Sequence, residues 1–531
     1  MPRPGTARHS LSFLLLPFLI PFPLPLTLLL LSACAAPAPH GPTARAASTH
    51  AADELPPAPE EFGDGTGSPA GLAGGPELPM PYPEAIDTLN WEVGGDASVE
   101  SGDSAWQASD SSRSVGTRPL KPLLPPVTRP EGVVQRPRPP GLPERIHVFL
   151  GKSAKPVSLY SLGSMQILTE GVAETTNGAG VPVSRQVTLK GRFFIRRSGG
   201  GYVVEQDKKA VLTTTARKLR VISVNPYNLV DVNGSVYRGS LHLIGESGGD
   251  ITIVNVIGVE DYLRGVLPYE LGNVDRDALE ALKAQAIVAR TYAYKRMLRP
   301  GARDFHIYND VQDQVYKGVR GEYLLSDRAV WETRGMAVAH GDSLAICYYF
   351  STCAGHTASK HEVWGGDSIA YLVSRPDLDP LGEPYCAASK YCAWTQEWTQ
   401  PQLAGIVRRN LRAAGVTDAP AFSSIKALDI QQRAACGRIR LLKIQTDKGA
   451  ILVKGDKVRW AMRPSATEAK ILPSADFSVK MAGGKVAAQG KGFGHGVGLC
   501  QVGAIGRAKA GQNFRQIIEA YYSAVQVVEF R

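Results

Sequence analysis

The chain has 531 residues, is 44% hydrophobic and carries a formal net charge of +10. That charge is unevenly placed: residues 1–34 hold +2, residues 35–144 hold −8 and residues 145–531 hold +16. A basic region of that size expects an anionic partner, and with no nucleic-acid-binding motif in the sequence the remaining classes are anionic lipid and acidic polysaccharide. Beyond the N-terminus no run is long and apolar enough to cross a bilayer as a helix.

The N-terminal segment reads as an export signal. Arg3 and Arg8 precede an apolar run from Leu11 to Leu31, and Pro17, Pro21, Pro23 and Pro25 make that run a poor spanning helix. It ends in Leu31-Ser32-Ala33-Cys34, which resembles the lipobox of bacterial lipoproteins. The resemblance implies that Cys34 becomes the lipidated first residue of an exported, envelope-anchored, periplasmic protein whose only hold on the membrane is that lipid. The alternative is a plain secretory signal. Residues 35–144 are rich in Pro, Gly, Ser, Ala and acids with little hydrophobic periodicity, the composition of a disordered linker. Past Cys34 six cysteines remain: Cys347, Cys353, Cys386, Cys392, Cys436 and Cys500. An even number in an exported chain points to disulfides, with their pairing open.

From Arg145 to Val256 the pattern is β-rich. Strands are predicted at Ile146–Leu150, Arg192–Arg196, Tyr202–Val204, Leu219–Ile222 and Ile251–Val256, separated by turn signals such as Gly199-Gly200-Gly201 and Asn233-Gly234. Next comes Val266-Leu267-Pro268-Tyr269-Glu270-Leu271-Gly272. A lone carboxylate between apolar neighbours is poorly solvated when charged, so its pKa rises towards the range where it donates a proton at neutral pH. The plainer reading of Glu270 is a helix-entry acid beside a positive dipole end. A helix is predicted over Asp277–Met297, because Leu279, Leu282, Ala286, Ala289 and Ala293 form one apolar stripe and Asp277 with Glu280 resembles a capping box. Lys283, Gln285, Arg290 and Tyr292 project elsewhere, either as a solvated face or along a groove beside Glu270.

Two later segments stand out. Tyr348 to Thr357 is an aromatic strand running into a small polar turn, and Gly490 to Gln501 places glycine at every second position around His495. Alternate glycines admit a ligand or another backbone at close range. The run lacks the spacing of a phosphate loop. Short helices are predicted at Gln501–Ala510 and Phe514–Tyr522. The fold class is α+β: a β-rich N-terminal part, then a helix-bearing part forming a groove, in one domain over 145–531.

The segments at 256–271, 281–293, 314–318 (Gln-Val-Tyr-Lys-Gly), 349–357 and 490–504 resemble, in order, the motifs of the SpoIID/LytB family. That family includes lytic transglycosylases that degrade peptidoglycan strands stripped of their peptides, and proteins described as stimulators of the amidase that strips them. The resemblance implies that Glu270 is the catalytic acid/base and that Lys283, Gln285 and Arg290 line the groove, with Gln314, Tyr316, Ser351, Thr352 and His495 beside it. The expected partners are glycan strands and a cell-wall amidase. No organic cofactor is implied. Some members hold zinc through cysteine and histidine, which makes Cys386 with Cys392, and Cys353 with His356, candidate ligands here; a Cys386–Cys392 disulfide is the competing use. Two readings compete with the transglycosylase: a non-enzymatic amidase activator and a peptidoglycan-binding lipoprotein.

Overall fold

The computed structural model describes residues 133–170, 186–299, 303–465 and 470–531. The signal segment, Cys34 and most of the expected linker lie outside them. The last part of that linker does not: Val134–Arg136 is a strand paired in parallel with Gln526–Phe530. The folded region therefore reaches back beyond Arg145.

Residues 145–258 build an antiparallel sheet, to which Ile307–Tyr308 adds one parallel edge strand. Its order runs from Ile307–Tyr308 at one edge through Arg145–Ser153, Ile251–Gly258, Ser240–Gly245, Lys218–Ser223, Val157–Glu170, Gln186–Ser198 and Gly201–Gln206 to Lys209–Thr214. Each predicted strand lies inside one of these. The turn signals act as expected: Asn233 and Gly234, both at positive φ, join Val230–Val232 to Ser235–Tyr237. Ile251 to Ile257 is buried on both faces, which explains its unbroken apolar sequence.

That strand runs directly into the helical part. Helices α1 (Val259–Arg264), α2 (Leu267–Glu270), α3 (Leu279–Met297) and α4 (Leu324–Glu332) follow. The α3 helix is central. Ala281, Leu282, Ala284, Ala286, Ile287, Val288, Ala289 and Ala293 are all fully buried, so the predicted single stripe is instead an apolar surface nearly all round. The small side chains let α4, Met336–His340 and the C-terminal helices pack against it. The predicted capping box is also absent. Arg276–Ala278 is a 3₁₀ turn leading into α3, no side chain caps the helix, and Asp277 lies near Lys509 at 3.7 Å.

After α4 come α5 (Lys360–Trp364) and a unit with no counterpart among the predicted elements. Residues 394–490 build two three-stranded sheets with α6 (Gln400–Asn410) and α7 (Val458–Ala461). Trp398, Leu403, Val407, Leu442, Ile444 and Val453 belong to its own apolar core. The chain then returns. Leu499–Cys500 pairs in parallel with Tyr349–Phe350, followed by α8 (Gln501–Lys509) and α9 (Phe514–Tyr521).

Candidate active site around Glu270

Glu270 ends the single turn of α2. Pro268 opens that turn, Leu267 and Leu271 anchor it in the core, and Gly272 at φ 78° redirects the chain after it. The carboxyl is half-buried. The Val315 backbone N–H donates to Oε1 at 2.9 Å, Gln501 Nε2 donates to Oε2 at 3.4 Å, and the Tyr349 hydroxyl donates a third bond. These three partners are uncharged. Burial outweighs their pull on the charged form and raises the pKa to about 7.

Tyr349 is oriented by a relay. Tyr262 donates to Gln314 Oε1 at 3.0 Å, and Gln314 Nε2 donates to the Ala289 carbonyl at 3.2 Å and to the Tyr349 hydroxyl oxygen at 3.1 Å. With its oxygen already accepting, the Tyr349 hydrogen turns to Glu270. Burial holds the Tyr349 hydroxyl protonated far above its ordinary range. Tyr349 and Gln501 were not among the expected site residues. Both sit inside the motifs that carried the resemblance, but only the fold makes them converge on one carboxyl.

The other expected residues divide. Gln314 is fully buried one contact behind Glu270, and Ser351 and Thr352 are buried as well. Thr352 Oγ1 bonds Ser389 Oγ at 2.8 Å, and the Ser351 carbonyl accepts from Val502 N–H at 3.0 Å, pinning the start of α8. Gln285 is fully buried, one turn before Ala289 on α3, and neither of its amide atoms has a hydrogen-bond partner. Lys283 Nζ lies 2.7 Å from both Glu280 and Glu332. Arg290 and Tyr316 require correction. Arg290 is wholly buried, bidentate to Glu260 at 2.9 and 2.6 Å, so it faces protein and lines no surface. Tyr316 is 1% exposed, donates to Asn255 Oδ1 at 2.8 Å and packs on Tyr262.

His495 is half-buried beside Trp364, Phe350 and Tyr348, with ring centroids 4.9, 5.5 and 6.2 Å away. Burial pushes its pKa down to about 4, so it is neutral at pH 7. The glycines around it have positive φ from Gly492 to Gly498 in alternation. At Gly498 a Cβ would strike the Tyr348 carbonyl oxygen, so this run crosses the Tyr349 strand at backbone contact.

The cysteines also depart from expectation. All six are free thiols. Cys353 and Cys386 do meet, with Sγ atoms 3.6 Å apart, but the third member of their cluster is Cys500. Cys392 Sγ turns to the Cys386 carbonyl at 3.0 Å and is not bonded to Cys386 Sγ, and His356 Nδ1 is engaged by Ser374 and Thr357.

The family profile for stage II sporulation protein, SpoIID, matches residues 247–340, and a domain of unknown function, DUF8618, matches residues 385–498. An uncharacterised protein of Brachyspira hyodysenteriae is 31% identical over 300 residues, covering 56% of this chain and 74% of its own. The amidase enhancer of Bacillus subtilis is 28% identical over 303 residues, covering 50% of this chain and 40% of its own. Stage II sporulation protein D of Bacillus subtilis is 26% identical over 352 residues, covering 63% and 89%. The first match covers Glu270, α3 and Gln314; the second coincides with the β unit that separates Cys386 from Cys500.

Proposed function

The chain belongs to the SpoIID/LytB family, and from that premise we propose that it is a peptidoglycan lytic transglycosylase with Glu270 as its one acid/base. The observation that carries this is the Glu270 carboxyl: half-buried, held by three uncharged donors, with its pKa raised to about 7. Such a group is protonated often enough at neutral pH to donate and is basic enough to accept afterwards.

The steps balance with this one group. Protonated Glu270 gives its proton to the glycosidic oxygen as the C1–O bond breaks. The resulting carboxylate takes the proton of the same sugar's 6-hydroxyl as that oxygen closes on C1, giving a 1,6-anhydro end. A second carboxylate is unnecessary because the nucleophile is intramolecular. The Tyr349–Gln314 relay fixes the direction of the carboxyl. Glycan strands stripped of peptide expose a lactyl carboxylate on each muramic acid, which suits the +16 of residues 145–531. We place the protein in the cell envelope, exported and held by lipid on Cys34.

A second reading has its own support. The Bacillus subtilis relative is named an amidase enhancer, so a non-enzymatic role in stimulating a cell-wall amidase is the alternative. Mass analysis of denuded strands incubated with the purified protein separates the two. The enzyme yields anhydro-ended fragments, and Glu270→Gln abolishes them. Intact strands from the wild type, with amidase stimulation kept in Glu270→Gln, would establish the enhancer instead.

A further inference from the structure

We propose that Cys353, Cys386 and Cys500 form a zinc site that locks together the two segments carrying Tyr349 and Gln501. The three Sγ atoms lie within 4.8 Å of one another, two of them 3.6 Å apart. Sulfurs on a tetrahedral zinc, with bonds of about 2.3 Å, stand about 3.8 Å apart. Asp377 Oδ2 is 3.1 Å from Cys353 Sγ and stands beside the cluster as an acceptor. All four residues are buried.

The surroundings are built for anionic sulfur. The Ala354 N–H points at Cys386 Sγ at 3.2 Å, and Cys500 Sγ receives the N–H groups of Cys353 at 3.2 Å and Gly503 at 3.3 Å. A neutral thiol is a weak acceptor, whereas a thiolate gains from each such donor. Ala354 adopts φ 55° and Gly355 φ 96° to aim the first of these amides. A non-glycine residue in the left-handed region is strained and persists where its surroundings hold it. The outer shell is complete too. Arg507 Nε bonds Asp377 Oδ1 at 2.8 Å and Tyr521 donates to Oδ2 at 2.9 Å, which holds the carboxylate against Cys353 as an outer-shell partner.

Three soft thiolates in a buried cluster select zinc over calcium or magnesium. Binding releases three thiol protons. The zinc and Arg507 then offset all but one unit of the negative charge of three thiolates and Asp377. A Cys353–Cys386 disulfide would be neutral, would leave Cys500 alone, and would give the amide donors no anion. Cys500 is adjacent to Gln501, and Cys353 follows Tyr349 by four residues. One ion therefore ties both side-chain donors of Glu270 together by joining Cys353 to Cys500 across 147 residues of sequence. The ligand set stands independently of what Glu270 does.

The test is elemental analysis of the full chain purified without chelator, with bound zinc quantified after dialysis. About one zinc per chain is expected. Cys386→Ser and Cys500→Ser should lose it, and Cys436→Ser, outside the cluster, should keep it. Arg507→Gln should weaken zinc about 10- to 100-fold, measured by competition with a chromophoric chelator. If the serine variants fail to fold, cobalt exchange into the wild type decides. Sulfur-to-cobalt charge-transfer bands with a tetrahedral visible spectrum support the site, and an octahedral spectrum overturns it. A zinc-free wild type after incubation with zinc, or a Cys353–Cys386 disulfide in a non-reducing digest of the purified chain, also overturns it.

Discussion

Glu270 makes the fold less stable as pH rises. Its folded pKa of about 7 lies above the ordinary 4.5, so the native chain binds more protons than the unfolded chain between these values. The contribution of Glu270 is most favourable below about pH 4.5, falls as pH rises through that window, and by pH 8 has lost about 3 kcal/mol, on the order of 2 after allowing for partial exposure. Glu270→Gln should therefore be more stable than the wild type by about 2 kcal/mol at pH 8 and equal to it near pH 4, read from urea unfolding at both values. If Glu270 is the acid, kcat/KM of the wild type should decline by about tenfold per pH unit above 7. Arg290 behaves in the opposite way. Removing it opens a cavity and takes a bidentate partner from Glu260, whose side chain is 40% exposed, so Arg290→Ala should cost about 2–4 kcal/mol in denaturant unfolding. Unchanged stability with weakened glycan binding would return it to the groove. Glu270 was legible from its apolar neighbours and motif. Arg290 was misread because its burial is set by α1 and α4, which meet it only in three dimensions.

Elements were easier to delimit than to place. The span of α3 was readable from its periodicity and its basic last turn, but its alanines gave a stripe on paper and a full apolar girdle in the fold. Strands 394–490 went unread because several are half-exposed, as in Ile425–Arg433, whose charged and apolar residues mix. The glycine-rich run was legible as a close crossing, and its partner strand was not. A paired substitution tests that crossing. Gly498 and Gly483 both have positive φ, so alanine at either carries about 1–2 kcal/mol of backbone strain. Only Gly498 has a neighbour, the Tyr348 carbonyl, where the Cβ would go; Gly483 has nothing within 4 Å. Gly498→Ala should lower the melting temperature well beyond Gly483→Ala. Equal shifts would mean the crossing tolerates a methyl group.

At the scale of the whole molecule, charge makes the prediction. Residues 145–531 at +16 should bind peptide-free glycan more tightly than intact peptidoglycan, with the preference shrinking as salt rises from 50 to 500 mM, concentrations that cut the screening length to a few ångströms. Equal binding to both at low and high salt would remove the electrostatic argument. Composition located the basic region but misjudged its start, because three residues of strand in a proline-rich stretch leave no periodicity to detect. That short strand has a mechanical consequence. Val134–Arg136 is the edge of its sheet, in register with Val528–Phe530, and Arg531 N–H and O continue the contact to Arg136 and Arg138 at 3.2 and 3.3 Å. A pull arriving through the preceding chain runs along the strand axis, so these bonds are sheared together rather than unzipped one by one. Tension between an anchor and a bound glycan would be taken up at this clasp, beside the C-terminus, before it reached the turn that holds Glu270.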